Sequence, residues 1–150
     1  MSVNHTRVNT FGQEITLQLS VAEWAGRQDF PVRSIHLGYS HISQDKNTKE
    51  GFRSLYSMEY IRHRVTAQAD FRLGSRFSAN VSYRYVDRAT SSELIKPYSL
   101  LDSKLSFHRP GMEIYVRVNN LLNREYYDFG DIPQPGLWFM AGVSLTFSRP

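Results

Sequence analysis

Apolar residues return at every second position in seven separate stretches of this chain, and a period of two is the signature of a β-strand with one apolar face. In residues 14–22, Ile15, Leu17, Leu19 and Val21 alternate with Thr16, Gln18 and Ser20; in 33–42, Ile35, Leu37 and Tyr39 alternate with His36, Gly38 and Ser40. Residues 58–72 set Ile61, Val65, Ala67, Ala69 and Phe71 against Arg62, Arg64, Thr66, Gln68, Asp70 and Arg72, with His63 intruding on the apolar side. The same reading holds for 77–87 (Phe77, Ala79, Val81, Tyr83, Tyr85) and for 98–107 (Leu101, Leu105, Phe107). It continues in 112–119 (Met112, Ile114, Val116, Val118) and in 137–147 (Leu137, Phe139, Ala141, Val143, Leu145, Phe147). No comparable window has helical periodicity, so the chain is predicted to be all-β.

The connections alternate in length. LGSR at 73–76 and RPG at 109–111 are tight, whereas 43–57, 88–97 and 120–136 are long and polar; only 22–32 is longer than the rule allows. Short turns on one side and long loops on the other are the habit of outer-membrane barrels, and antiparallel strands of about 9–11 residues are what such a barrel requires. Directions assigned from loop length alone put Phe71, Phe77, Phe107 and Phe147 at one end and Tyr60, Tyr83, Tyr85, Tyr98 and Phe139 at the other. Two aromatic belts of this kind suit the two membrane–water interfaces. No stretch approaches the roughly 20 apolar residues of a membrane-spanning helix. The expectation is therefore an antiparallel transmembrane β-barrel, with residues 1–150 forming one domain.

Alternation by itself fits a second architecture, a soluble lipocalin-like β-barrel with a greasy lumen for a small apolar ligand. The polar face carries many charges of both signs, among them Arg62, Arg64, Asp70, Arg72, Arg84, Asp102, Lys104, Glu113 and Arg117. Such a set suits a wide, wet lumen, and the aromatic belts and uneven loops favour the membrane arrangement. The net charge of +4 is mild and its cations are scattered, so no dense basic arm for nucleic acid is present. The absence of cysteine argues against a disulfide scaffold or thiolate metal site. Met1 is followed by polar residues without an apolar core, so no secretory signal is expected at this start.

Residues 97–147 are the most specific part of the chain. PYSLLDSKLSF is followed by EIYVRVNNLLNREYYDFGDIPQPGLWFMAGVSLTF, with Asn120–Leu121, Glu125–Tyr126, Pro135–Gly136 and a final aromatic strand Leu137–Phe147 in that order. This resembles the C-terminal end of TonB-dependent outer-membrane receptors, and the likeness continues more faintly in 9–20 and 70–88. The resemblance implies about seven C-terminal strands of a 22-stranded barrel whose plug and upstream strands lie outside this chain. It also implies a Gram-negative cell outer membrane and energised uptake of a scarce nutrient such as a ferric siderophore, haem or vitamin B12. The expected partners are outer-membrane lipid, the remainder of the receptor, the TonB energising complex acting through the missing N-terminal part, and the barrel assembly machinery. Phe147 matches the family's terminal aromatic assembly signal, although Ser148, Arg149 and Pro150 trail it. Alone, the chain is expected to be a fragment without transport activity.

Within that reading the candidate substrate contacts are Arg62, Arg84, Lys104 and Arg117 on the polar face, with Tyr126 and Tyr127 in the loop 120–136. The cations could instead serve as salt-bridge partners inside the lumen. No catalytic residue, cofactor or metal is expected: there is no nucleophile elbow, triad order or phosphate loop. Five histidines stand on different elements without metal-ligand spacing, and Glu125, Asp128 and Asp131 do not follow a calcium-loop pattern.

Overall fold

The computed structural model describes residues 6–27, 29–48, 59–128 and 131–147. They form seven strands: β1 (Thr6–Leu19), β2 (Val32–Thr48), β3 (Tyr60–Leu73), β4 (Phe77–Ala89), β5 (Tyr98–Arg109), β6 (Met112–Asn119) and β7 (Trp138–Leu145). One short helix, α1 (Val21–Trp24), interrupts them. Every strand pairs antiparallel with its neighbour in sequence, giving a single sheet ordered β1 to β7. The sheet is not closed: β1 and β7 are its two edges. The all-β reading therefore holds, and each predicted strand has its counterpart. The first two strands run well beyond the expected bounds, so much of the supposed loop at 43–57 is strand; residues 49–58 lie outside the described part.

Residues opposite one another in an antiparallel ladder share a face, so the register tests the period-two reading directly. Leu17, Leu37, Ala67, Tyr83 and Leu101 are opposite one another in succession across five strands. Near the tight turns, Phe77, Phe107, Ile114 and Val143 do the same from β4 to β7. One face is thus apolar across the whole sheet. It is also bare, with Ile15 67% exposed, Phe139 76% and Val143 61%. Among the described residues the buried hydrophobics are only Val86, Ile95, Tyr98 and Leu100.

The hollows lie on the opposite, polar face. One of about 1020 Å³ near the tight turns is lined by Arg33, Asp70, Asn80, Lys104 and Glu113, among others. A second, of about 380 Å³, includes Glu14, His36, Arg64, Gln68, Arg84 and Asp102. Neighbouring strands are tied there by side-chain bridges. Asp70 on β3 accepts from Ser34 on β2 at 2.8 Å and from Asn80 on β4 at 2.7 Å.

Three assignments are corrected. A bulge between Ile61 and His63 places Ile61 opposite Arg88 rather than in step with His63 and Asp87, because one extra residue shifts the alternation by one. Ile61 therefore turns to the polar face, where it packs against Val86, Tyr98 and Leu100. Tyr98 is opposite Val86 on that same face and only 7% exposed, so it belongs to this small core and not to an outer aromatic belt. Val21 is not in a strand; it opens α1, and this helical turn accounts for the length of the 22–32 connection.

Gly142 on β7 faces Tyr115 on β6, and the aromatic ring lies over the glycine so closely that a Cβ there would meet Tyr115 Cζ and Oη at 2.6 Å. Lys104 Nζ stands 4.6 Å from the centre of the same ring and 2.7 Å from Glu113 Oε1. Gly142→Ala should therefore push the ring off its seat and destabilise the β6–β7 edge by about 1–3 kcal/mol. The expected readout is a lower denaturation midpoint, with Tyr115→Ala and Gly142→Ala combining to less than the sum of their separate effects.

Candidate functional site

The long-loop end of the polar face is organised by the segment that follows β6. Asn120 adopts φ 51° and Asn123 φ 46°, left-handed conformations that asparagine tolerates better than most residues. Asn120 is 2% exposed and each of its polar groups is used. Its amide N–H donates to Asp102 Oδ1 at 2.8 Å, its Nδ2 donates to the carbonyls of Arg124 (2.8 Å) and Pro135 (3.3 Å), and its Oδ1 accepts from Arg124 N at 2.9 Å. Asn123 Oδ1 accepts from Leu137 N at 2.9 Å and lies where a Cβ on Gly136 would fall, 2.6 Å away. The Asn-Leu and Pro-Gly pairs of the sequence are thus the two ends of one clamp, which folds 120–137 back upon itself.

Asp128 ties this loop to the sheet. Its Oδ1 accepts from Arg88 Nη2 at 2.6 Å, from Arg88 Nε at 3.1 Å and from the Tyr98 hydroxyl at 2.7 Å. Tyr126 packs against Tyr98 with ring centres 4.5 Å apart and planes tilted by 39° and so extends the small core of Val86, Tyr98 and Leu100. Partial burial works against the Asp128 carboxylate, but the hydrogen bonds from Tyr98 and Arg88 and the charges of Arg88 and Arg84 outweigh it, so its pKa lies below the usual aspartate value. Tyr126 is raised, by burial first, with the nearby Arg84 opposing. The neighbouring carboxylate of Glu125 is the main cause that raises Tyr127, whose hydroxyl also donates to it at 3.3 Å.

The expected substrate contacts are not gathered into one place. Arg62, at the bulge, is engaged by Asp87, to which its Nε and Nη2 donate at 3.1 and 2.8 Å. Lys104 is engaged by Glu113. Lys104 is thus a salt-bridge partner on the polar face, whereas the Arg62 pair lies with Asp87 on the rung of His63 at the margin of the apolar face. Arg84 lines the smaller hollow with its Nε buried and without a hydrogen-bond acceptor. Arg117, opposite Lys104 on β6, is exposed and has no ion-pair partner among the described residues. Tyr126 is held in the loop core, and Tyr127 bridges to Pro133 within the loop. Phe147 lies just beyond β7 and is 88% exposed.

Arg88, Tyr98, Asp102, Asn120 and Asp128 carry the organisation that spacing did not predict. Asp128 was visible as one of a group of acids, but Arg88 and Tyr98, which decide its role, are 40 and 30 residues away in sequence. Asp131 accepts from Ser92, Glu125 from Tyr127, and among the described residues no three His, Asp or Glu side chains are placed to hold a metal ion. No family model, curated protein or solved structure matches this chain.

Because its folded pKa is depressed, Asp128 stabilises the docked loop at any pH above the unfolded carboxylate value of about 3.9, and that contribution is lost as pH falls through the lower folded value. Near-ultraviolet circular dichroism from the Tyr98–Tyr126 pair should stay constant from neutral pH down to about pH 4 and decline only below it. Asp128→Asn should loosen the loop by about 1 kcal/mol once solvent screening is allowed for. Tryptic cleavage after Arg124 would then be about fivefold faster at neutral pH.

Proposed function

We propose that this chain is the C-terminal portion of an outer-membrane β-barrel of the TonB-dependent receptor type, whose parent takes up a scarce nutrient across that membrane. The reading rests on one observation above all: a sheet with a broad, bare apolar face, whose hollows and most of whose charges lie on the other side. In water, apolar side chains of this size each gain about 1.5–3 kcal/mol on burial, so a face of this extent needs a cover. Lipid is the cover that fits its dimensions. On β3 the apolar side runs from Val65 to Leu73, about 26 Å of strand at about 3.3 Å per residue, or about 20 Å at a tilt near 40°, comparable with the roughly 25 Å apolar band of such barrels.

The open sheet supports the partial character. Seven antiparallel strands leave β1 and β7 running in the same direction, so these edges cannot pair antiparallel with each other, and bacterial barrels of this kind are even-stranded. Further strands must seal both edges, since unpaired backbone groups in lipid cost several kcal/mol each. Asn120, Asn123 and Gly136 support the receptor type, because the residues that carry the resemblance are those that build the loop clamp. Of the four candidate cations, Arg84 and Arg117 have no ion pair among the described residues and are the ones left for a substrate, while Lys104 ties β5 to β6 through Glu113.

The lipid reading is tested in the cysteine-free background by single replacements on adjacent residues of β6, Val116→Cys and Arg117→Cys, each carrying an environment-sensitive fluorophore in lipid vesicles. The label at 116 should be quenched from within the lipid and the label at 117 from the water. The reverse pattern, or a chain that is monodisperse without detergent, would favour the lipocalin-like barrel and overturn the proposal. The receptor reading has its own measurement: an antibody against loop 120–136 should detect, in an outer-membrane fraction, a protein several times heavier than 17.4 kDa. A band at that mass would mean that no larger parent carries these residues.

A further inference from the structure

At the long-loop margin of the apolar face the rungs turn polar. Gln13, His41, His63 and Asp87 are opposite one another across β1 to β4, just beyond the apolar run of β3. The imidazole rings of His41 and His63 lie face to face, with centres 4.6 Å apart and planes 25° from parallel. Both rings are held through the same nitrogen. His41 Nδ1–H donates to the carbonyl oxygen of Arg62 at 3.1 Å, and His63 Nδ1 shares a 3.0 Å hydrogen bond with the Tyr39 hydroxyl. Neither Nε2 has a hydrogen-bond partner among the described residues.

We propose that His41 and His63 form a cross-strand chelate for a first-row divalent transition ion of the copper or zinc type. A hydrogen bond at Nδ1 is how a ligand histidine is oriented and kept with its Nε2 lone pair free. The Arg62 carbonyl can only accept, which assigns that tautomer to His41; metal binding requires the same of His63, with its Nδ1–H donating to the Tyr39 oxygen. Imidazole nitrogens bind such an ion at about 2.0–2.1 Å, so two of them sharing one ion stand no more than about 4 Å apart. In the stacked pair the in-plane Nε2 lone pairs run side by side, so binding turns the two rings about their side-chain bonds until these lone pairs converge on the ion. Gln13, opposite His41, offers an amide oxygen in the same row, and water completes the coordination. Asp87, already paired with Arg62, leaves the ion beside a charge-balanced pair. Two imidazoles favour copper and zinc over the hard cations, with copper the tighter of the two.

The site depends on the β2–β3 register alone and not on the receptor reading, so either can fail without the other. The test is calorimetric titration of the full chain, in whichever detergent or buffer keeps it monodisperse, with Cu²⁺ and separately with Zn²⁺. One ion per chain is expected. His41→Ala and His63→Ala should each weaken binding at least about tenfold, and the double variant should be no worse than either, since one missing ligand already breaks the chelate. Tyr39→Phe keeps both ligands and should weaken binding less, through the orientation of His63. Independently of any variant, Zn²⁺ should protect His41 and His63 from diethyl pyrocarbonate while His36 and His108 remain reactive. An unmodified chain that takes up no ion, affinity unchanged in both single variants, or protection that falls on His36 or His108 instead would overturn the proposal.

Discussion

The whole structure hangs on the antiparallel backbone ladder. Once each strand hands its N–H and C=O groups to a neighbour, side chains have only two directions left, and alternate residues must go to opposite faces. The sequence alternates over seven strands in the same phase, so the ladder sorts nearly all apolar side chains to one side. Nothing among the described residues covers that side. The buried apolar residues among those described form a small group under one loop, far too little to drive the folding of a seven-stranded sheet by itself. The stabilising apolar contact has to come from the surroundings, which is the physical reason for the membrane reading.

A single irregularity serves two ends at the long-loop side. The bulge at Ile61–His63 turns Ile61 toward the polar face, where it joins Val86, Tyr98 and Leu100 in the one apolar cluster there. The same extra residue brings Arg62 within 2.8 Å of Asp87, so a charge that would otherwise sit at the margin of the apolar face has its counter-ion. Loop 120–136 then settles on the cluster through Tyr126 and is pinned by Asp128. Its conformation comes from asparagine chemistry: a side chain that both donates and accepts can satisfy a turn's backbone groups from inside, as that of Asn120 does three times over.

Strand number, strand order and the identity of the apolar face were legible in the residues, because period two survives any register that keeps the faces aligned. The residues of the resemblance were legible as a motif but not as a mechanism; that Asn123 and Gly136 meet requires the chain to fold back over the residues between them. Ile61 and Tyr98 were misread for different reasons. A period-two rule carries its phase along the strand, and the bulge resets it at Ile61 without any mark in composition; Tyr98 keeps the polar-face phase of Asp102 and Lys104, and its aromatic ring at a strand end, not its phase, suggested a belt.

By itself the sequence determined the all-β architecture, the antiparallel neighbours and a sheet with one greasy and one charged side, since these follow from local alternation and connection length. Only the tertiary structure decided which charges are spent on each other, as Arg62 is on Asp87 and Lys104 on Glu113, and which, like Arg84 and Arg117, are left over. It alone brought His41 beside His63 across a gap of 22 residues and Arg88 to Asp128 across 40. Pairings of that kind depend on register and loop path, which are set by the sum of many weak contacts along the ladder and are written in no single stretch of residues.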